Sequence, residues 1–434
     1  MSVAEALAPL AEAILGPGAP VAICAWDGSR SGPLEAAWTL RINNRRGLRR
    51  LLWAPNELGF ARAYVSGDIE IQGDLLAGMS ILLHATDSAD GLRARLKAET
   101  KDALVKTVLR LKVVGLPPNA PPEEAKRLRR RRHDKRRDAA AAIRHHYDVG
   151  NDFYRLVLGE SMTYSCGYWT GQRDENLTVS QFAKCDLVAH KLGLRPGMRV
   201  LDVGCGWGSF AVHAARHYGA HVVGVTLSRE QADYARTRMV HDNVSDLVEV
   251  RFQDYRDVAD GPYDAISSIG MAEHVGAAML PTYAASLYAL LGPRGRLLNH
   301  AISRRPGERA GFSKTSFIDR YVFPDGEIVP LATMVEALEG AGFEVRDVES
   351  LREHYAQTLR AWVANLEANW DKVVAASSAG RARIWRLYMA GSAVAFEANR
   401  LGINQVLATK PTARGDSGMP PTRAALLGSA RHPA

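Results

Sequence analysis

From Val200 the chain reads Val-Leu-Asp-Val-Gly-Cys-Gly-Trp-Gly, an apolar run that stops at three glycines spaced two apart. A short apolar run bounded by glycine predicts a strand buried on both faces, followed by a sharp turn into a helix, here starting near Ser209. His221 to Thr226 repeats the pattern about one helix later and leads into Leu227-Ser228-Arg229-Glu230-Gln231, a second helix start. Phe252 to Asp257 is predicted to end a third strand and Tyr263 to Ile269 to form a fourth, and the turn-rich stretch Leu290 to His300 re-enters the same sheet. Strands alternating with helices in this way predict a doubly wound α/β fold.

Upstream, Ala36 to Ile42 and Ile69 to Ile71 alternate polar and apolar positions, and Leu58–Val65 and Leu75–His84 have a helical period. Residues 1–115 therefore read as a smaller α+β unit with no catalytic constellation of their own. Downstream, helices are expected over Leu331–Ala341, Gln357–Ala376 and Ala382–Ala398. From Pro411, Gly-Asp-Ser-Gly-Met-Pro-Pro at 415–421 predicts a disordered tail over 411–434. Between the two units, Leu116 to Pro122 is proline-rich and predicts a linker over 116–140. That leaves 141–410 as the catalytic domain.

Composition narrows the class. With 47% hydrophobic and 24% charged residues the chain reads as globular, and no apolar run approaches the roughly 20 residues that span a bilayer. The formal net charge of +8 favours an anionic partner, and much of it lies in Lys126 to Arg137, where nearly every residue is basic. Such a run serves as a solvated helix face, a phospholipid-docking patch or a nucleic-acid contact. Cys24, Cys166, Cys185 and Cys205 show no metal-binding spacing and read as reduced cytoplasmic thiols, and Met1 to Ala19 carries no basic leader.

Candidate chemistry gathers where the strands end. Glycines at 204, 206 and 208 allow a ligand to lie against bare backbone at a helix N-terminus. Glu273 and His274 follow the fourth strand and His300 follows the next, at the carboxyl edge where open α/β sheets bind ligands. A Glu-His pair on a turn is also a common cap. Met162 to Trp169 packs aromatics around Cys166, which suggests a lid, although a buried thiol is more often structural. Phe312, Phe317, Tyr321 and Phe323 read either as a cavity wall or as core.

Taken together, His146–Asn151, Tyr164-Ser165-Cys166, Leu201–Gly208, Thr226–Gln231, Gln253–Asp257, Glu273-His274-Val275-Gly276 and His300 closely resemble the cyclopropane-fatty-acyl-phospholipid synthases and mycolic acid cyclopropane synthases over residues 140–408. Residues 1–115 resemble the amino-terminal domain of the phospholipid enzymes. The resemblance implies a class I S-adenosylmethionine-dependent methyltransferase fold. Tyr164 and Ser165 would close over the methyl donor, and Asp202, Gly204 and Gly206 would meet its methionine portion. Thr226, Leu227 and Gln231 would meet its ribose and adenine side, with Gln253 and Tyr255 beside the ring. Thr226 stands where a dinucleotide dehydrogenase would want an acid, which argues against that class.

The resemblance also implies a bicarbonate ion cradled by Cys166, Glu273, His300, the backbone at Ile302, and Tyr355. The implied reaction is methyl transfer to the double bond of an unsaturated phospholipid acyl chain, then proton loss from the resulting carbocation. Loss from the new methyl closes a cyclopropane. A hydride shift before proton loss leaves a methylene branch, and the cyclopropane is favoured. The expected setting is the cytoplasmic face of an anionic membrane, with the basic run as the docking element and a homodimer as in longer relatives. A nucleic-acid methyltransferase and a non-catalytic membrane-binding protein are the competing classes.

Overall fold

The structure, a computed structural model, describes residues 1–15, 21–36, 38–54, 56–87, 107, 110, 111, 113, 115–124, 149–173, 175–307, 311, 313, 316–324 and 326–427. The basic run Lys126 to Arg137 and the residues His146 to Asp148 lie outside them. Among the described residues no helix is long and apolar enough to cross a membrane. The chain forms two compact units, one of Met1–Leu128, Ser313–Pro324 and Val373–Ala395, the other of Arg129–Phe312, Asp325–Lys372 and Phe396–Ala434.

In the first unit, β1 (Val21–Cys24), β2 (Arg30–Ser31), β3 (Trp38–Ile42) and β4 (Ile69–Gly73) form a sheet in the order β2-β1-β3-β4. Trp38 is buried beneath the helix Leu75–Asp87, which can approach because a Cβ on Gly78 would already stand 3.1 Å from the indole. The aromatic stretch after Phe312 belongs here. Phe317 and Tyr321 lie 5.4 Å apart, Phe323 meets Tyr388 edge-on at 5.9 Å, and the Tyr321 hydroxyl donates to Glu124 at 3.1 Å. These contacts are core packing inside the first unit, so the expected aromatic wall within the catalytic domain gives way to the other reading. Phe312 is outside the described residues. Two pieces of the stretch expected as one catalytic domain, 141–410, thus cluster with the amino-terminal unit.

The second unit is built on seven strands in the order β10-β11-β9-β8-β5-β6-β7. These are β5 (Arg199–Val203), β6 (His221–Thr226), β7 (Val248–Phe252), β8 (Tyr263–Ile269), β9 (Leu291–Arg304), β10 (Glu344–Ser350) and β11 (Leu401–Thr409). Strands β5 to β9 pair in parallel, and β11 runs antiparallel between β9 and β10. Val200, Ala265 and Leu298 pack on one face with the helices Leu177–Leu192 and Ser209–Tyr218. Leu201, Ile266 and Leu297 pack on the other face with the helices Leu280–Leu290 and Leu331–Gly340. Burial on both faces is why these strands read as continuous apolar runs.

Two expectations change. The single helix over Gln357–Ala376 is divided into Arg352–Ala368 and Trp370–Ala376, because the Asn369 side chain turns back to the Asn365 carbonyl at 3.0 Å and caps the first. The stretch from Pro411, expected to lack order, is tied down as far as residue 427. Arg294 pairs with Asp416, Thr409 Oγ1 donates to the Ser417 carbonyl at 3.0 Å, Arg423 pairs with Asp347, and Leu426 is buried. Its polar composition concealed two ion pairs and an apolar anchor.

Candidate active site

The carboxyl ends of five adjacent strands, β9-β8-β5-β6-β7, carry Asp202, the glycine loop, Thr226, Gln253, Glu273 and His300 along one edge, while Tyr164, Ser165, Cys166 and Tyr355 come from outside the sheet. After β5 the backbone turns left-handed at Gly204 (φ 78°), Gly206 (56°) and Gly208 (81°). The Gly204 and Cys205 amides both donate to the Val225 carbonyl, at 2.9 and 3.0 Å, pinning the loop to β6. Nothing lies within 4 Å of where a Cβ on Gly206 would point, so its backbone fronts open space at the start of the Ser209–Tyr218 helix. The glycine loop therefore fits a ligand laid against bare backbone.

Beside it, Thr226 Oγ1 donates to Gln231 Oε1 at 2.9 Å and accepts from the Ser228 amide at 3.2 Å. The Gln253 amide donates to the Thr226 carbonyl at 3.1 Å, holding the end of β7 against the end of β6. Gln253 Nε2 donates to the Asp257 carbonyl at 2.7 Å, and Tyr255 is buried edge-on against Tyr283 at 5.7 Å. Leu227 is half-buried at the head of the next helix. The residues expected around the ribose and adenine therefore form one bonded rim.

Asp202, buried at the end of β5, accepts from Ser267 Oγ at 2.7 Å. Burial pushes its carboxyl up to about 6, against the pull of Ser267 and the charge of Lys184. A raised acid loses stability as it ionises, between the unfolded value of 3.8 and the folded value of about 6. An Asp202→Asn variant is therefore expected to be more stable than the wild type at pH 8, by up to about 3 kcal/mol. Below pH 4 the two should be alike, as read from urea midpoints at both pH values.

Farther along the edge, the Ile302 amide donates to Glu273 Oε1 at 2.7 Å, which joins the turn after β8 to β9. Glu273 Oε2 is buried without a hydrogen-bond partner among the described residues, and burial pushes the carboxyl up to about 7 while the Ile302 amide pulls it down. Neighbouring His274 is pushed down to about 4 by burial. His300 is fully buried. Its Nδ1 lies 3.2 Å from Gln405 Nε2, and its Nε2 has no partner among the described residues. Burial and the charges of Lys184 and Lys191 push the imidazole down to about 3, so it is neutral. A carboxyl able to hold or release a proton near neutrality and a neutral imidazole, each with one unused buried polar atom, suit a small oxygen anion. The Ile302 amide takes part only through Glu273, its bond being already made.

The Tyr164–Trp169 stretch is held from outside by two helices. On Leu177–Leu192, Gln181 Nε2 donates to the Ser165 carbonyl at 2.8 Å, and buried Lys184 Nζ donates to Ser165 Oγ at 3.2 Å. On Arg352–Ala368, Thr358 Oγ1 accepts from the Gly167 amide at 3.0 Å, and His354 Nδ1 accepts from the Trp169 amide at 2.9 Å. Cys166 is fully buried, and Sγ donates to the Gly167 carbonyl at 3.1 Å. Burial drives the thiol far above its ordinary range, so no thiolate is available for attack. A Cys166→Ala enzyme is expected to turn over more slowly but measurably. Complete loss in the variant, with a covalent adduct trapped on the wild type and seen by intact-mass spectrometry, would refute this.

An aromatic file runs through the same unit. Trp207 meets Tyr154 at 4.8 Å, Tyr154 meets Tyr164 at 5.9 Å, and Tyr164 meets Trp362 at 5.3 Å. Trp362 in turn meets Tyr355 at 5.9 Å, and Tyr355 meets Phe396 at 4.9 Å. Tyr355 thus joins Tyr164 and the glycine loop through Trp362, which sequence reasoning passed over together with Gln181, Lys184 and Gln405. The usable signal was polarity out of place. Gln181 and Lys184 stand among the buried positions of an amphipathic helix, and Gln405 stands in a buried strand.

Residues 133–406 match the mycolic acid cyclopropane synthetase family. The chain is 42% identical over 411 residues to a probable fatty acid methyltransferase of Mycobacterium tuberculosis, covering 92% of this chain and 93% of that one. It is 36% identical to the cyclopropane-fatty-acyl-phospholipid synthase of Escherichia coli K12, over 63% of this chain and 68% of that one. Among solved structures, mycolic acid cyclopropane synthase CmaA1 complexed with SAH and CTAB superposes with a TM-score of 0.58. It is 33% identical, over 62% of this chain and 97% of that one.

Proposed function

The chain belongs to the mycolic acid cyclopropane synthetase family of S-adenosylmethionine-dependent carbon methyltransferases, and from that premise we propose that it methylates the double bond of unsaturated fatty acyl chains in membrane phospholipids to form cyclopropane fatty acids. The observation that carries this reading is the pair of unsatisfied buried atoms, Glu273 Oε2 and His300 Nε2, on the same strand edge as the open glycine loop. When bound, S-adenosylmethionine supplies the electrophilic methyl and bicarbonate a base. Gly204, Gly206, Thr226, Leu227, Gln231, Gln253 and Tyr255, with Tyr164, Ser165 and Asp202, hold the donor in this reading. Cys166, Glu273, His300 and Tyr355 wall the anion.

An isolated alkene is a weak nucleophile, so alignment and exclusion of water must supply much of the rate. The Tyr164–Trp169 stretch, with Ser165, Cys166 and Gly167 buried, serves that end, being bonded on both sides. Positive charge that develops on the acyl chain is eased by the faces of the Tyr154, Tyr164 and Trp362 file. Glu273 holds or releases a proton at Oε2 near neutral pH, and His300 stays uncharged beside it. In the same reading, Lys126 to Arg137 meets the anionic lipid surface, and neutralising Arg129 to Arg132 weakens binding to anionic vesicles.

The test is incubation of the purified protein with labelled S-adenosylmethionine and vesicles of oleoyl phospholipid, followed by mass spectrometry of the fatty acids. Acyl chains heavier by one CH2 and resistant to hydrogenation support the cyclopropane. Hydrogen uptake by the heavier chain assigns the methylene branch instead. Donor binding without labelled lipid sinks the substrate assignment.

A further inference from the structure

Gln405 is fully buried in the middle of β11, after Asn404 and before the apolar run Val406-Leu407-Ala408. The sheet register sets it directly opposite His300 on β9 and Glu349 on β10. Glu349 is taken by the buried ammonium of Lys191, so it does not serve the glutamine. The Gln405 amide nitrogen lies 3.2 Å from His300 Nδ1, while its own Oε1 has no partner among the described residues. A leucine would fill this position without leaving a carbonyl unsatisfied, so the polar group calls for another reason to be there.

The chemistry of the contact supplies one. With the amide turned so that its NH2 faces the ring, it donates and Nδ1 presents its lone pair, which puts the single proton of a neutral imidazole on Nε2. That Nε2 is the buried atom with no protein partner, on the strand that also carries the amide bonded to Glu273. Burial and the lysines Lys184 and Lys191 keep the ring uncharged, so the choice of tautomer alone decides whether Nε2 gives or takes a hydrogen bond.

We propose that Gln405 is a positioning residue that locks His300 in its Nε2–H tautomer, making it a fixed hydrogen-bond donor to an oxygen anion held beside Glu273. The ligand class is a small oxyanion of the carbonate or carboxylate type. This rests on the functional reading above for the identity of the anion, but the tautomer itself is a property of the protein alone. Gln405→Glu reverses the lock, because a carboxylate accepts from Nδ1–H and turns Nε2 into an acceptor. Gln405→Leu removes it and leaves both tautomers accessible.

The experiment is long-range 1H–15N correlation on the full-length protein labelled at histidine, with the His300 signals assigned by their loss in His300→Gln. The expected wild-type pattern is Nε2–H. It should change to Nδ1–H in Gln405→Glu and to a mixture in Gln405→Leu. Methyl transfer should fall roughly 10- to 100-fold in Gln405→Glu, mainly in kcat, with the KM for S-adenosylmethionine unchanged. A wild-type Nδ1–H pattern, or an unchanged tautomer in Gln405→Glu, overturns the proposal, as does full turnover in a Gln405→Glu enzyme whose tautomer has switched. If no form methylates lipid, the functional reading fails and the spectra still decide the tautomer.

Discussion

A Glu273→Gln enzyme is expected to bind S-adenosylmethionine as the wild type does, yet to transfer its methyl group roughly 10²- to 10³-fold more slowly. The substitution is nearly isosteric. The amide oxygen can still accept from the Ile302 N–H, so the tie between the turn after β8 and strand β9 survives. What changes is the other atom. Oε2, buried and without a protein partner, becomes an NH2 that cannot accept a hydrogen bond or exchange a proton. The wild-type carboxyl, pushed up to about 7, does both near neutrality. The loop proposed to hold the donor follows β5 and the proposed rim lies on β6 and β7, so in that reading the affinity for the donor has no reason to move.

Stability separates this outcome from simple damage to the fold. Burial of the Glu273 carboxyl opposes ionisation, so above neutral pH the charge costs folding energy that glutamine does not pay. The variant is therefore expected to melt at or above the wild-type temperature at pH 8 while its kcat collapses. Methyl-transfer kinetics, calorimetric titration of the donor and a melting curve check the three parts. A variant with wild-type kcat would remove Glu273 from the chemistry.

The parts of the molecule that were legible in the sequence are those governed by local rules. The run Val200–Gly208 states its own strand, its left-handed turn and the helix that follows, because only glycine takes those dihedrals without strain. Tyr263–Ile269 is a strand with the bounds its apolar run suggested, since both faces are covered. Strands β10 and β11 escaped notice for the opposite reason. Glu349 near the end of β10 and Gln405 in the middle of β11 put polar groups within them, and those groups are satisfied or used only by partners on β9 and on the Leu177–Leu192 helix. The contents of the first unit were hidden in the same way. Nothing local in Ser313–Pro324 tells that Tyr321 will donate to Glu124, about 200 residues earlier in the chain.

At the site, Asp202, Gly204, Thr226, Gln253, Glu273 and His300 lie along one strand edge, whereas Tyr164, Ser165 and Cys166 come from a loop and Tyr355 from a helix, and the relations among them were not visible. A motif lists Glu273 and Ile302 as separate contacts, whereas the fold spends one on the other. Cys166 read either as part of a lid or as a buried structural thiol, and in the fold it is fully buried with its thiol donating to its own chain. Helix period alone would class Lys184 as an error in an apolar face. Its reason appears only once Ser165 and Asp202 are brought beneath it.

The second large effect concerns the glycine loop, where two neighbouring glycines should fail in different ways. At Gly206 the backbone is left-handed with φ 56°, a region alanine enters at a cost of about 1–2 kcal/mol, and its Cβ would meet no protein atom within 4 Å. Folding should therefore survive a Gly206→Ala substitution with a modest drop in melting temperature. The new methyl projects instead into the space that the donor is proposed to fill. Overpacking of that kind costs about 1–3 kcal/mol, so the dissociation constant for S-adenosylmethionine should rise roughly 10- to 100-fold. At Gly208 a Cβ would stand 2.5 Å from Met239 Cε and 3.3 Å from Ala235 Cβ, inside the packed face of the helix Arg229–His241. Gly208→Ala should accordingly lower the melting temperature more than Gly206→Ala, while the folded fraction binds the donor nearly as before. Titration calorimetry on both variants, with melting curves alongside, separates the two effects. Equal affinities for Gly206→Ala and the wild type would mean that the donor does not lie against this backbone, and the glycine loop would then be a purely structural turn.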